Sequence, residues 1–439
     1  MQVTIIGGGL AGVEAAYQLA NQGVDVVLYE QRPIQTSKAH HTEYLSELVC
    51  SNSLRSNEIG NASGLLKEEL RICGSLVMQV ADKNKVPAGG ALAVDREKFS
   101  QSITKIIEEH EHIQLIRQPV NEIPTKGYIV VATGPLTEGP IADSIRFVCG
   151  QDYFHFFDAA APVVTLESIN MEKSWWASRY DKGEKDYINC PLTEEEYHRL
   201  IAFLVQAKKH KPDMEGEEIY FEGCMPVEEM ARRGEKTLAF GPLKPVGLID
   251  PHTKQEPYAV VQLRIDNKEK TLFNLVGFQT SLVFSEQKKM LSLIPGLEEA
   301  EIVRYGVMHQ NSYINSPLLL GSDGSLQADP RIYFAGQITG VEGYIESVAS
   351  GLASAWSLAA KIHGQPYEAF PDTTAIGSLM RYISTSADAR YFQPMNINWG
   401  IVTELIPRIR QKKLRNEALG KRALTDLDAY INRYRSQKK

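Results

Sequence analysis

The sequence predicts an α/β protein whose main domain is a doubly wound, Rossmann-type sheet, interrupted by an α+β insertion domain. Three observations carry that expectation. A strand, a glycine turn, a helix and a second strand occupy residues 3–30; the same alternation returns after Ala91; and a block of aromatic and β-branched runs from about Phe147 to Ile314 breaks it before it resumes at Arg331.

Val3 to Ile6 reads as a short buried strand, and Leu10 to Asn21 as a helix with Val13, Ala16, Leu19 and Ala20 along one side. Gly23 stops that helix, and Val24 to Tyr29 forms the second strand. Ala91 to Val94 precedes a helix opened by Asp95-Arg96-Glu97, with further strands at Ile113–Arg117 and Tyr128–Ala132. In the insertion, Tyr153–Phe157, Val163–Leu166, Tyr258–Ile265 and Thr271–Val276 read as strands, the last two joined across Asp266-Asn267-Lys268. Arg331–Ala335 then enters the turn Gly336-Gln337-Ile338-Thr339-Gly340, and Ile345, Val348, Leu352, Trp356 and Ala359 follow at helical spacing. This divides the chain into a cofactor domain (1–146 and 315–370), an insertion (147–314) and a C-terminal helical basic segment (371–439).

A length of 439 residues supports two or three domains, and 43% hydrophobic with 23% charged residues excludes a mostly disordered or fibrous chain. No signal-peptide pattern opens the sequence and no run of 18 uncharged apolar residues occurs, so a soluble, cytoplasmic protein with no membrane partner is expected. The net charge of −7 is unevenly spread: Arg408 to Lys439 holds eleven Lys/Arg against three Asp/Glu, leaving 36 basic and 51 acidic side chains in residues 1–407. Arg408, Arg410, Lys412, Lys413 and Arg415 are therefore either a solvated helix face or a phosphate-binding footprint.

Gly7-Gly8-Gly9-Leu10-Ala11-Gly12 follows a strand and opens a helix, and Glu30 ends the next strand. In that context Gly7 permits the turn, Gly9 lets the backbone approach a pyrophosphate, Gly12 allows close packing, and the Glu30 carboxylate accepts from ribose hydroxyls. Gly134 and the later Gly336, Gln337, Gly340 and Gly343 mark strand ends where a long cofactor can return across the sheet, which favours FAD over NAD. The helix after Gly343 would stabilise negative charge on a reduced flavin.

Five cysteines, spaced by 23, 76, 41 and 34 residues, form no CxxC pair and no zinc pattern. Cys50 lies in a polar stretch near Arg55, and Cys224 lies just before a helix that begins at Pro226; both settings favour the thiolate, although a buried packing role remains open for each. Cys73, Cys149 and Cys190 are read as packing residues. His309 is either structural or a stacking residue, and the His40-His41 pair lacks a third ligand, so no metal is expected.

Taken with Leu248-Ile249-Asp250-Pro251, Gly277-Phe278-Gln279-Thr280 and Gln337 to Tyr344, these segments resemble the folate- and FAD-dependent tRNA (uracil-5-)-methyltransferases of bacteria, over nearly the whole chain. One departure is His309-Gln310-Asn311-Ser312-Tyr313, where that family is expected to read His-Arg-Asn-Thr-Phe. The resemblance implies bound FAD, 5,10-methylenetetrahydrofolate as carbon donor, NADH or NADPH as reductant, and the T-loop uridine at position 54 of tRNA as substrate. It also implies that His309 stacks on the folate pterin.

Such chemistry needs two thiols. A thiolate adding at uracil C6 makes C5 nucleophilic, and a base must later remove the C5 proton. Cys224 is assigned as the nucleophile and Cys50 as the base, with the exchanged assignment as the alternative. Competing readings are a paralogue acting on ribosomal RNA, a larger wobble-uridine-modifying relative, and a flavin-bound RNA-binding protein without turnover.

Overall fold

The computed structural model describes residues 2–37, 39–181, 184–210, 225–385, 389 and 392–436, with side chains at 154–158, 181, 309, 310 and 436 left aside. β1 (Gln2–Ile6), α1 (Leu10–Ala20) and β2 (Asp25–Glu30) form the expected opening unit. β1 runs parallel to β2 on one side and to Tyr128–Val131 on the other. Ile113–Arg117 extends the sheet beyond β2, and Asp329–Phe334 extends it beyond Tyr128–Val131. A short antiparallel edge, Ser325–Leu326, completes six strands. The inner strands are covered on both faces, which is why they read as apolar runs rather than as alternation.

The insertion builds a second, antiparallel six-stranded sheet in the order Trp175–Ala177, Tyr187–Leu192, Ala259–Ile265, Leu272–Leu275, Val163–Thr165 and Ile302–Arg304. Helix Glu194–Gln206, opened by a Thr193–Glu196 capping box, covers one face. The period of two in Ala259–Ile265 places Ala259, Val261, Leu263 and Ile265 in that core. Gln262 and Arg264 consequently face the other way, and Arg264 reaches the cofactor domain.

Helix Pro140–Cys149 crosses the expected boundary at 146/147, and Cys149 packs with Ile129 and Ile332 of the parallel sheet. The strands Phe154–Ala159 and Met308–Tyr313 pair antiparallel as a two-stranded link between the sheets. Helices Ala375–Ser384 and Lys412–Ser436 pack into the same core as β1 and α1. Tyr434 stacks on Trp356 at 4.6 Å between centroids and donates to Gln22 Oε1 at 2.7 Å.

Buried Glu69 accepts from the backbone N–H of Ala375 (2.7 Å) and Ile376 (2.9 Å), at the start of helix Ala375–Ser384. Burial outweighs these bonds and pushes the carboxyl up to about 8. A carboxyl raised in the folded state favours folding while protonated, so stability is lost as pH rises from the unfolded value through about 8. Glu69→Gln keeps an acceptor and removes the titration. Its Tm should rise relative to wild type by about 2–4 °C between pH 5 and pH 9; thermal melts showing a pH-independent difference would contradict this.

Candidate active site

Four consecutive strands of the parallel sheet end in one open cleft of about 1180 Å³, with Gly336 and Gln337, then Ala132 to Gly134, then Gly7 to Ala11, then Glu30 along its wall. Ligands of doubly wound folds bind at such carboxyl-terminal strand edges. Gly9 caps α1 with no side-chain hydrogen bond, so no side chain competes for the first N–H groups of that helix. A Cβ built on Gly9 would meet nothing within 4 Å, whereas one on Gly12 would lie 1.9 Å from Gly7 O. The first glycine therefore faces the cleft, and the second lets helix and turn close up behind it.

Glu30 Oε2 accepts from Gly8 N at 3.0 Å, and Oε1 accepts from Arg32 N (3.0 Å) and Nε (2.9 Å). Burial pulls this carboxyl upward, but Arg32 prevails and holds it below the usual carboxylate range. It is a fixed anion with acceptor capacity left on Oε2. His40, on the same wall, is lowered to about 4 by burial and by Arg32, and is neutral at physiological pH. The donor set, the open space at Gly9 and the length of the wall fit an extended dinucleotide such as FAD.

Gly340 does not reach this wall. At φ +83° it lies against the Phe392 ring, and a Cβ there would sit 2.5 Å from Phe392 Cζ. Gly343 instead lines a second cleft of about 980 Å³ that shares Val49, Pro135, Leu136, Gln337 and Tyr344 with the first. The helix it opens carries its own carboxylate, Glu346, in the first turn.

Cys50 lies half-buried in this second cleft. Its backbone N–H donates to the Tyr344 hydroxyl at 2.8 Å, as does that of Ser51 at 3.3 Å. Burial drives the Tyr344 phenol well above its ordinary value, so it stays neutral. From the insertion, Arg264 donates to Asn52 Oδ1 (3.0 Å) and Ser51 Oγ (2.7 Å), and Asn52 Nδ2 donates to Val94 O and Ile265 O. Arg96 links Leu48 O (2.8 Å) to Asp266 (3.1 Å). The Cys50 loop is thus held from both domains.

Cys224 lies outside the described residues. Three residues on, Val227 N donates to Gln279 O at 2.7 Å, and Gln279 lines the Cys50 cleft. Glu228 secures the same segment, accepting from Ser281 N (2.7 Å) and Thr280 Oγ1 (2.9 Å). His309 is on strand Met308–Tyr313, which brings Asn311 to the cleft; the His309 side chain is outside the description. Cys73, Cys149 and Cys190 are buried, and burial raises all three thiols, the last two to about 12. Among the described residues no cluster of three His, Cys, Asp or Glu side chains forms a metal site, and no helix is long and apolar enough to cross a membrane.

Arg408, Arg410, Lys412 and Lys413 are exposed and Arg415 is half-buried; the first two precede the helix rather than lie on it. Arg264, Glu342 and the positioning role of Tyr344 escape a reading of the sequence, which gives Arg55 only as a charge near Cys50. Only Tyr344 had a local signal, standing directly after the late glycine turn.

The family model for glucose inhibited division protein A matches residues 2–366. A methylenetetrahydrofolate–tRNA-(uracil-5-)-methyltransferase TrmFO from Acetivibrio thermocellus is 54% identical over 432 residues, covering 98% of this chain and 99% of the relative. The chain belongs to the TrmFO family. Another TrmFO, from Natranaerobius thermophilus, is 55% identical over 433 residues, covering 99% of this chain and 100% of its own length. Aquifex aeolicus GidA shares the fold, with a TM-score of 0.67 at 16% identity over 97% of this chain and 74% of the GidA chain. Membership in the TrmFO family agrees with the two adjoining clefts, one shaped for a dinucleotide and one holding a cysteine.

Proposed function

We propose that this chain methylates C5 of a uridine in tRNA, the T-loop uridine at position 54, taking the carbon from 5,10-methylenetetrahydrofolate. The observation that carries this reading is the position of Cys50 in a cleft that shares its wall with the dinucleotide cleft. When bound, FAD reduced by NADH or NADPH would supply the hydride that completes the methyl group. Gly7 to Ala11, Glu30, Gly134, Gly336 and Gln337 would hold it.

The protein's own part is to present two thiols to one uracil. The Cys224 thiolate adds to C6, and C5 then attacks the methylene carbon of the folate as one of its two C–N bonds breaks; the second breaks when the C5 proton leaves, and Cys224 is expelled from C6 as the methyl group forms. The C5 proton passes to Cys50, whose backbone is positioned by Tyr344. His309, two residues before Asn311 on a strand that borders the cleft, is the residue we assign to stack on the pterin. The exposed Arg408, Arg410, Lys412 and Lys413, with Arg415, supply phosphate contacts that position the RNA without reading its bases. The protein acts in the cytoplasm.

Purified protein incubated with unmodified tRNA, methylenetetrahydrofolate and NADH should convert one uridine per tRNA to 5-methyluridine, detected by nucleoside analysis. Absence of product from tRNA, with product from ribosomal RNA fragments, would transfer the substrate to ribosomal RNA. Absence from both would leave only a flavin-dependent RNA binder.

A further inference from the structure

We infer that Arg55 receives a backbone phosphate of the RNA nucleotide that enters the Cys50 cleft. Arg55 lines that cleft from strand Ser53–Ser56 and sits at φ +65°, a left-handed conformation that a bulky non-glycine residue adopts only when its surroundings impose it. Here Ser53 Oγ accepts from Arg55 N at 3.1 Å, and the pairing with Ala91–Val94 shifts register across this point. The strain brings a guanidinium to the rim of a cleft that contains a cysteine.

That guanidinium has donors to spare. Its ion pair with Glu346 is 3.6 Å long, and its side chain is 41% exposed. Glu346 is also occupied by Ile397 N at 3.1 Å, and the other carboxylate of the cleft, Glu342, is bonded by Gln337 Nε2 at 2.6 Å. Behind the strand, the buried Lys67 amine donates to Ser56 O and Ser63 O, both at 2.8 Å, and burial lowers it to about 7, so the fixed positive charge of this wall is that of Arg55.

Position selects phosphate over the carboxylates of folate. Four residues beyond Arg55, Ile59 packs against Gly420 of the C-terminal helix, where a Cβ would stand 3.2 Å from Ile59 Cγ2. Lys412 and Lys413 begin that helix about two turns away. Arg55 therefore extends the exposed basic segment from the surface to the thiol. A strand lying on Lys412 and Lys413 passes Ile59 and meets Arg55 as its uridine enters. This assignment rests on the RNA-methylating reading and deepens it.

The test exploits the left-handed backbone. Arg55→Gly removes the guanidinium and adopts φ +65° without strain, so the strand keeps its path. It should weaken tRNA binding about tenfold and lower the log–log salt slope by about one, with the KM for methylenetetrahydrofolate and the flavin content unchanged. Arg55→Lys should restore the slope and part of the affinity. The double reversal Lys412→Glu, Lys413→Glu should lower the slope independently, and combining it with Arg55→Gly should add the two losses. A raised folate KM with unaltered tRNA binding would assign Arg55 to a folate carboxylate and overturn the proposal. Wild-type values for both would reduce Arg55 to an ion-pair partner of Glu346. If wild-type protein itself bound no tRNA, the RNA reading would fail, whatever Arg55 does.

Discussion

tRNA carrying 5-fluorouridine is expected to form a covalent complex with this protein that survives denaturation. Fluorine at C5 does not leave as a proton does, so a C6 thioether that has attacked the folate methylene is trapped. Cys224→Ala should abolish both the adduct and methylation. Cys50→Ala should reduce methylation by about 10²–10⁴-fold yet still form the C6 adduct, because a base is required only after C5 has attacked. Gel shifts under denaturing conditions, with peptide mass mapping, read the two outcomes separately. The opposite pattern would exchange the roles of the cysteines; methylation at wild-type rates in both variants would remove the thiol mechanism. Alanine at Cys73, Cys149 or Cys190 should leave activity within a modest factor, since burial holds each of these thiols protonated.

Gly9→Val is expected to give a folded, colourless and inactive protein. The backbone at Gly9, φ −76° and ψ −174°, suits valine, and a Cβ there meets nothing within 4 Å, so the fold has no reason to reject it. The space it fills is where a pyrophosphate must approach the helix N-terminus. Wild-type protein should be yellow and release FAD, while the variant should keep its circular dichroism, melt like flavin-stripped wild type and contain no flavin. Gly12→Val is the contrasting case: its Cβ would lie 1.9 Å from Gly7 O, and loss of flavin there should accompany loss of fold. A colourless wild type that takes up no added FAD would refute the cofactor assignment.

The parts of this site visible in the sequence are those with a local cause. The turn from Gly7 to Gly12 is written within six residues because a tight strand-to-helix connection constrains each position. The strands of the insertion are visible because aromatic and β-branched side chains favour the pleated backbone, as in Tyr258–Ile265. The fastening of Cys50 left no such trace. Tyr344 binds its backbone across 294 positions, and Arg264 reaches Ser51 across 213; the glycine turn before Tyr344 marks a site but not this contact, and nothing beside Arg264 marks its own. Gly340 shows the converse difficulty. The sequence places it in a turn where a cofactor returns, but the neighbour at its Cα is Phe392. Arg55 was marked only as a charge near Cys50, since a left-handed arginine looks like any other until its strand is placed beside Ala91–Val94.

The stack of Trp356 on Tyr434, with the bond from Tyr434 to Gln22 spanning 412 positions, sets the order in which the molecule can be completed. During synthesis the opening strand–helix–strand unit leaves the ribosome first, but its core lacks a wall until residue 434 has emerged. At about 5–20 residues per second, that interval lasts tens of seconds. Through that time α1 and β2 have apolar faces without their final neighbours, and the insertion, whose sheet closes within residues 163–304, has everything it needs to fold first. Ribosome-bound chains stalled after residue 304 should therefore contain a protease-resistant insertion beside a cleavable N-terminal unit, and resistance of that unit should appear only when the C-terminal helix is released.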